Sequence, residues 1–155
     1  MKSTEMQTMK PASNKGISYR KLPGVALLAA VAAALANALV YFAASGLGTI
    51  SQSVLLPSPV GVSPLTVGLV VITSIIGAIG AAIVFAIIGL FARRPVRLFR
   101  IVAAVVLVLS FTMPATVPGV PVAMRLSLAV MHVVVWAVSV GLLTTLARQA
   151  KPASA

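Results

Sequence analysis

The chain has 155 residues, of which 60% are apolar, and a mean hydropathy of +1.13. A water-soluble domain of this length could not bury so much apolar surface, so the composition predicts one membrane domain. The formal net charge of +11 comes from basic residues dispersed over several segments, which argues against nucleic-acid binding. Cysteine is absent, which excludes disulfides, thiolate metal sites and cysteine nucleophiles.

Four apolar runs are predicted to span the bilayer, at residues 24–44, 65–91, 97–117 and 126–147. The first run exceeds the roughly 7–15 residues of a signal peptide's apolar region, so we expect an uncleaved span. The second, at about 40 Å of helix, must tilt or protrude from a core of about 30 Å. The third reaches spanning length only if Arg97 and Arg100 extend to the interface and its outer end passes Pro114.

The segments around these runs are predicted to lack regular structure. Residues 1–23 have no apolar periodicity and are expected to form a disordered basic tail, and residues 149–155 form a second tail. The connection 45–64 is rich in glycine and proline, which argues against a helix or strand there. Three prolines from Pro114 onward predict irregular backbone at the outer end of span three, facing the bundle interior.

The basic residues fall on one side of the predicted spans. Eleven of the twelve precede span one, separate spans two and three, or follow span four: Lys2, Lys10, Lys15, Arg20, Lys21, Arg93, Arg94, Arg97, Arg100, Arg148 and Lys151. Because short basic loops stay in the cytoplasm, this predicts four spans with both termini cytoplasmic, in the inner (plasma) membrane. Arg93, Arg94, Arg97 and Arg100 are expected to contact anionic headgroups there.

Arg125 is the exception, on the opposite side. We interpret it as an anchor at the outer headgroups, with contact to an anion or a partner carboxylate as the alternative. The fold class that follows is all-α, a transmembrane four-helix bundle of two antiparallel helical hairpins. Two rows of small residues in span two predict close helix contacts within the bundle or, alternatively, a dimer face: Thr73, Gly77 and Ala81, and Ser74, Ala78, Ala82 and Ala86.

A layer of polar residues is predicted in the outer half of the bundle. Counting the helical rise from the outer end of each span places Asn37, Thr73, Ser74 and His132 at comparable depth. Ser110 lies at the outer end of span three, so each span offers a polar residue in its outer half. His132 also shares one helical stripe with Arg125, Ala129, Trp136 and Ser139. Two hypotheses stay open. The layer lines a cavity that binds a ligand or senses pH, or Asn37 and His132 hydrogen-bond across helices and lock the bundle.

Several short segments resemble those of small bacterial four-span membrane proteins that form a domain family of unknown function. The resemblance rests on Arg97-Leu98-Phe99-Arg100, on Ser110 and Pro114, and on Met131-His132, and it covers about residues 24–148. It implies the fold and a bacterial inner-membrane setting, but no mechanism.

The sequence favours a non-catalytic protein without cofactors, because it offers one histidine, one acidic residue and no cysteine for acid–base or nucleophilic chemistry. We predict an accessory or structural membrane component that packs against itself or a membrane protein partner. The alternative is a small transporter or a ligand- or pH-sensing protein that uses the polar layer.

Overall fold

The computed structural model of the chain describes residues 17–58 and 61–147. Their elements, in chain order, are α1 (Leu22–Gly46), β1 (Leu55–Ser58), β2 (Gly61–Pro64), α2 (Val67–Phe91), α3 (Pro95–Ser110), α4 (Thr112–Thr116) and α5 (Val122–Leu146). Four helices are long and apolar enough to cross a membrane: α1, α2, α3 with α4, and α5. The predicted all-α bundle of four membrane-spanning helices is confirmed, and the protein is a multi-pass membrane protein.

Helix α1 lies between α2 and α5 and is the most enclosed of the four. In its most apolar stretch 33% of the residues are buried, against 11% for α3 with α4. Ala30 and Ala33 of α1 pack on Ala78 of α2, and all three are almost inaccessible. Such small side chains let neighbouring backbones approach closely, so α1, α2 and α5 form the tight part of the bundle and α3 lies at its side.

One end of the bundle holds the start of α1, the α2–α3 connection and the end of α5, and we call it the termini end. Phe85 of α2 and Phe99 of α3 pack there with ring centroids 4.8 Å apart, and both rings are buried. Pro95 at the first turn of α3 is buried as well, where a missing N–H costs nothing. The base of α3 is therefore fixed against α2.

Part of the predicted disordered tail is ordered against this end. The Ser18 N–H donates to the Ala147 carbonyl at 2.7 Å, and the Tyr19 hydroxyl donates to the Ala86 carbonyl at 3.3 Å. Ile17 is only 2% exposed. Residues 17–21 thus differ from the expectation because a backbone bond and an apolar contact hold them to α5 and α2. The rest of that tail, residues 1–16, and the second tail lie outside the described residues.

The opposite end, the hairpin end, carries an antiparallel pair of short strands, β1 and β2, paired from Leu55↔Pro64 to Ser58↔Gly61. The prediction that residues 45–64 contain no regular element is therefore wrong. Leu56, 2% exposed, packs in a cluster with Val70 of α2 and Met124 of α5. Prolines in these segments disfavour strand formation, and the burial of Leu56 stabilises the strand pair in spite of them.

The prediction of irregular backbone from Pro114 onward is also wrong in its position. Helix α3 ends at Ser110, and Pro114 lies buried in the next short helix, α4. Proline supplies no N–H for the carbonyl four residues before it, here that of Ser110, so the helix breaks at Phe111 and restarts. Irregular backbone begins only after Thr116 and leads to α5.

Candidate functional site

The bundle contains a half-enclosed cleft of about 540 Å³ between α2, α3 and α5, with Asn37 of α1 at its edge. Its walls are mostly aliphatic. All five residues of the predicted polar layer border it, namely Asn37, Thr73, Ser74, Ser110 and His132. The structure thus brings residues from four helices to one site.

Asn37 connects three helices at the edge of the cleft. Its side-chain Nδ2 donates to Ser74 Oγ of α2 at 2.9 Å and to the Met131 carbonyl of α5 at 3.1 Å. Because that carbonyl can only accept, the contact fixes which side of the amide carries the hydrogens. Ser74 in turn donates to the Val70 carbonyl at 2.7 Å. Asn37 therefore does link helices, as the locking hypothesis expected.

The other layer residues bond within their own helices. Thr73 Oγ1 donates to the Leu69 carbonyl at 2.8 Å, and Ser110 Oγ to the Leu107 carbonyl at 2.7 Å. His132 Nδ1 lies 2.7 Å from the Leu128 carbonyl, one turn earlier in α5. A carbonyl accepts only, so Nδ1 carries a hydrogen and, in the neutral ring, Nε2 is an acceptor. Among the described residues His132 makes no hydrogen bond to another helix, although its ring meets that of Phe111 edge-on with centroids 6.4 Å apart.

Within the described part of the chain, three residues that border the cleft each carry a buried side-chain atom without a hydrogen-bond partner: Asn37 Oδ1, Trp136 Nε1 and Ser139 Oγ. Asn37 is 3% exposed and Ser139 1%. By contrast, the Thr144 hydroxyl on the same helix donates to the carbonyl four residues before it. Ser139 does not, although the same kind of acceptor is available. These atoms are candidates for contact with a bound molecule.

Sequence reasoning did not include Trp136 and Ser139 among the site residues. The signal that could have found them was present, because both share the helical stripe of His132 on α5. What the stripe did not reveal is that neither polar atom has a partner. That property depends on the side-chain conformations of several helices and not on the spacing in one.

The cleft has no charged wall among the described residues, and His132 is the one ionisable side chain that borders it. Arg93, Arg94, Arg97 and Arg100 are all exposed at the termini end, where Arg100 Nη2 also donates to Thr144 Oγ1 at 3.3 Å. Six of the seven described basic residues lie at that end, these four with Arg20 and Lys21.

Arg125 lies at the hairpin end on α5, half-buried, with its Nε buried and without a partner. It does not border the cleft. In residues 17–58 and 61–147 no three His, Asp or Glu side chains come together as a metal site.

The two small-residue rows of α2 have different surroundings. Ser74, Ala78 and Ala82 are buried, and Ala78 packs on α1. Thr73, Gly77 and Ala81 border the cleft, and the first two are exposed. One row therefore makes the intramolecular contact, and the other forms the low wall of the cleft.

Residues 17–151 match the model of a family of unknown function, DUF6069. The match spans most of the chain, so the protein belongs to this family, and the predicted membership in a family of unknown function is confirmed. No curated protein and no solved structure matches the chain.

Proposed function

We propose that this small membrane protein binds a mostly apolar molecule from the bilayer in the cleft between α2, α3 and α5. The observation that carries the proposal is the set of partnerless polar atoms on Asn37, Trp136 and Ser139, which border one cavity. Inside a bilayer water does not freely satisfy such atoms, and each unpaired group costs free energy. A bound molecule that pairs with them removes this cost.

The shape of the cleft supports entry from the lipid. Helix α3 is fixed at its base by Phe85 and Phe99, and further along Val106 of α3 and Gly77 of α2 border the cleft while remaining exposed. The volume lies within the roughly 300–1,000 Å³ of small-molecule sites, and the walls are apolar with a few polar groups, as in such sites. Binding of this kind serves a sensor or a transporter.

A second candidate function is the accessory or structural role predicted from the sequence. The favouring observation is the row of Thr73, Gly77 and Ala81, which borders the cleft and has its first two residues exposed. Small residues let another backbone approach closely, so a helix of a partner or of a second copy could cover the same opening. The two functions therefore differ in what occupies the cleft.

We infer a setting for either function from the charges. The accumulation of basic residues at the termini end supports a bacterial plasma membrane with both termini in the cytoplasm and contact of Arg93, Arg94, Arg97 and Arg100 with anionic headgroups. We also infer a non-catalytic role without cofactors or nucleic-acid partners. The support is the residue content, one histidine and one acidic residue in the whole chain.

Trp136 provides the experiment, because it is the one tryptophan of the chain and borders the cleft. The full chain in lipid nanodiscs is titrated with bromododecane and with dodecanol brominated next to the hydroxyl, since bromine quenches indole fluorescence on contact. A variant with Trp136→Phe and Leu109→Trp moves the reporter to a position that is 60% exposed on α3 and reports simple partitioning into the lipid.

We expect saturable quenching of Trp136 at probe fractions too low to quench the Leu109→Trp reporter. Val106→Phe, which adds bulk to the cleft wall, should weaken this quenching. Val105→Phe is the matched control, because Val105 is similarly exposed, 53% against 57%, but does not border the cleft. If neither probe quenches Trp136 more than the lipid-facing reporter, ligand binding is wrong. A membrane protein that co-purifies stoichiometrically and is lost in Val106→Phe alone would establish the accessory role.

A further inference from the structure

We propose that the cleft selects an uncharged, mostly apolar ligand that carries a hydroxyl group, such as a long-chain or polycyclic alcohol. This inference rests on the ligand-binding function proposed above and adds the chemical class of the ligand. It follows from what the unpaired atoms of the cleft can donate and accept, and from the absence of charge on its described walls.

The partnerless atoms include both an obligate acceptor and an obligate donor. Both hydrogens of the Asn37 amide are donated to Ser74 Oγ and the Met131 carbonyl, which leaves Oδ1, an oxygen that can only accept. Trp136 Nε1–H can only donate, and Ser139 Oγ can do either. A ligand that satisfies the set must therefore both donate and accept hydrogen bonds. A hydroxyl does both with one oxygen atom, whereas an ether or a ketone only accepts.

These groups extend along one side of the cleft. His132, Trp136 and Ser139 follow a single stripe of α5, and seven residues of helix correspond to about 10 Å. In its neutral form His132 adds a further acceptor, Nε2, near the hairpin end of that stripe. One hydroxyl cannot reach both ends of this row, so we place it between Trp136 Nε1, from which it accepts, and Ser139 Oγ, to which it donates. The apolar body of the ligand then lies against the aliphatic walls of α2 and α3.

Charged ligands do not fit the surroundings. A carboxylate or phosphate would need a cation, but the described arginines and lysines do not border the cleft. An ammonium would need a carboxylate, and the described residues include no Asp or Glu, since the single acidic residue of the chain is Glu5. An ionised group without a partner inside a membrane bundle is costly.

A pure hydrocarbon fits the walls but leaves the polar atoms unpaired. A site with buried polar groups discriminates against a ligand that lacks the matching group, because binding then seals those groups away from any partner. We therefore expect the cleft to distinguish an alcohol from an alkane of the same chain length.

The preference for a head group is tested with three brominated probes of the same chain length: bromododecane, 2-bromododecanol and 2-bromododecanoate. Each titrates Trp136 fluorescence in nanodiscs, with partitioning calibrated on the variant that has Trp136→Phe and Leu109→Trp. We compare the fraction of each probe in the membrane at which quenching is half-maximal. For the alcohol this fraction should be about tenfold lower than for the alkane or the carboxylate, which is about the effect of one hydrogen bond.

Ser139→Ala should reduce the preference for the alcohol to about threefold or less, while Thr145→Val should retain it. The pair is matched, because both remove a hydroxyl from α5, but Thr145 is exposed and bonds its own helix at Gly141. Ser139 Oγ has no hydrogen-bond partner in residues 17–58 and 61–147, so we expect Ser139→Ala to keep the bundle intact. Equal saturable binding of alcohol and alkane, or tighter binding of the carboxylate, overturns the hydroxyl class but leaves ligand binding standing. Quenching that follows partitioning for all three probes overturns both.

Discussion

The hydrogen bond from Asn37 to Ser74 should stabilise the bundle by a small, measurable amount. The amide bonds two helices at 2.9 and 3.1 Å, and side-chain hydrogen bonds between membrane helices contribute about 0.6 kcal/mol on average and about 1.7 kcal/mol at most. Asn37→Leu removes both bonds, at a cost of about 1.2 kcal/mol. It also removes the unpaired Oδ1, whose burial costs about 1 kcal/mol or more. The single variant should therefore change the unfolding free energy little.

A double-mutant cycle separates these opposing contributions. Asn37→Leu, Ser74→Ala and the double variant are unfolded with the wild type in mixed micelles of increasing SDS, and the helical signal is followed by circular dichroism. We expect a coupling free energy of about 0.6 kcal/mol between Asn37 and Ser74.

Thr73→Val gives the control cycle, because the hydroxyl of Thr73 bonds its own helix at Leu69 and should not couple to Asn37. The hydrogen bond from Asn37 to Ser74 would be refuted by a coupling free energy smaller than the experimental error. It would also be refuted if Asn37 coupled equally strongly to Thr73.

Two further predictions concern the termini end. A Cβ at Gly89 would lie 2.5 Å from the Tyr19 hydroxyl and 2.6 Å from Ile17 Cδ1. Gly89→Val should therefore displace residues 17–21, lower the unfolding free energy by about 1 kcal/mol and speed tryptic cleavage in that segment. Gly24→Ala, where the added Cβ meets open space, should do neither. The chain has no cysteine, so the variant Arg94→Cys can be labelled selectively with a membrane-impermeant maleimide. We expect labelling of Arg94→Cys only after the membrane is opened. A cysteine introduced in β1 should be labelled on intact cells.

The polar layer could be predicted because it depends on quantities that a sequence contains. A membrane helix must cross a fixed thickness with a fixed rise, so the distance of Asn37, Ser74 or His132 from the end of its apolar run gives its depth. Residues at equal depth in adjacent helices can meet, and Asn37 and Ser74 do. The same reasoning could not tell that His132 would bond its own helix, because both outcomes place it at the same depth.

The β-hairpin and the position of the break in span three could not be predicted from the sequence, and the physical reason differs between the two. Strands β1 and β2 contain Pro57 and Pro64, which oppose strand formation locally, and the burial of Leu56 against α2 and α5 decides in their favour. Pro114 marked a break correctly, but its effect falls earlier in the chain, at Phe111, because the carbonyl that loses its partner precedes the proline by four residues.

The cleft itself follows from side-chain volume. Alanines draw α1 against α2 and the same helix packs on α5, whereas α2 contributes Gly77, Gly80 and Ala81, which have little bulk, to the lining of the cleft. A short connection and the Phe85–Phe99 contact hold the base of α3 in place, so the helix cannot move in to fill the space. In water such an apolar opening would favour collapse, but in a bilayer lipid-like molecules can fill it without penalty. The residues that leave room and the residues with partnerless polar atoms therefore line the same cleft, where the proposed ligand would replace the missing side-chain volume.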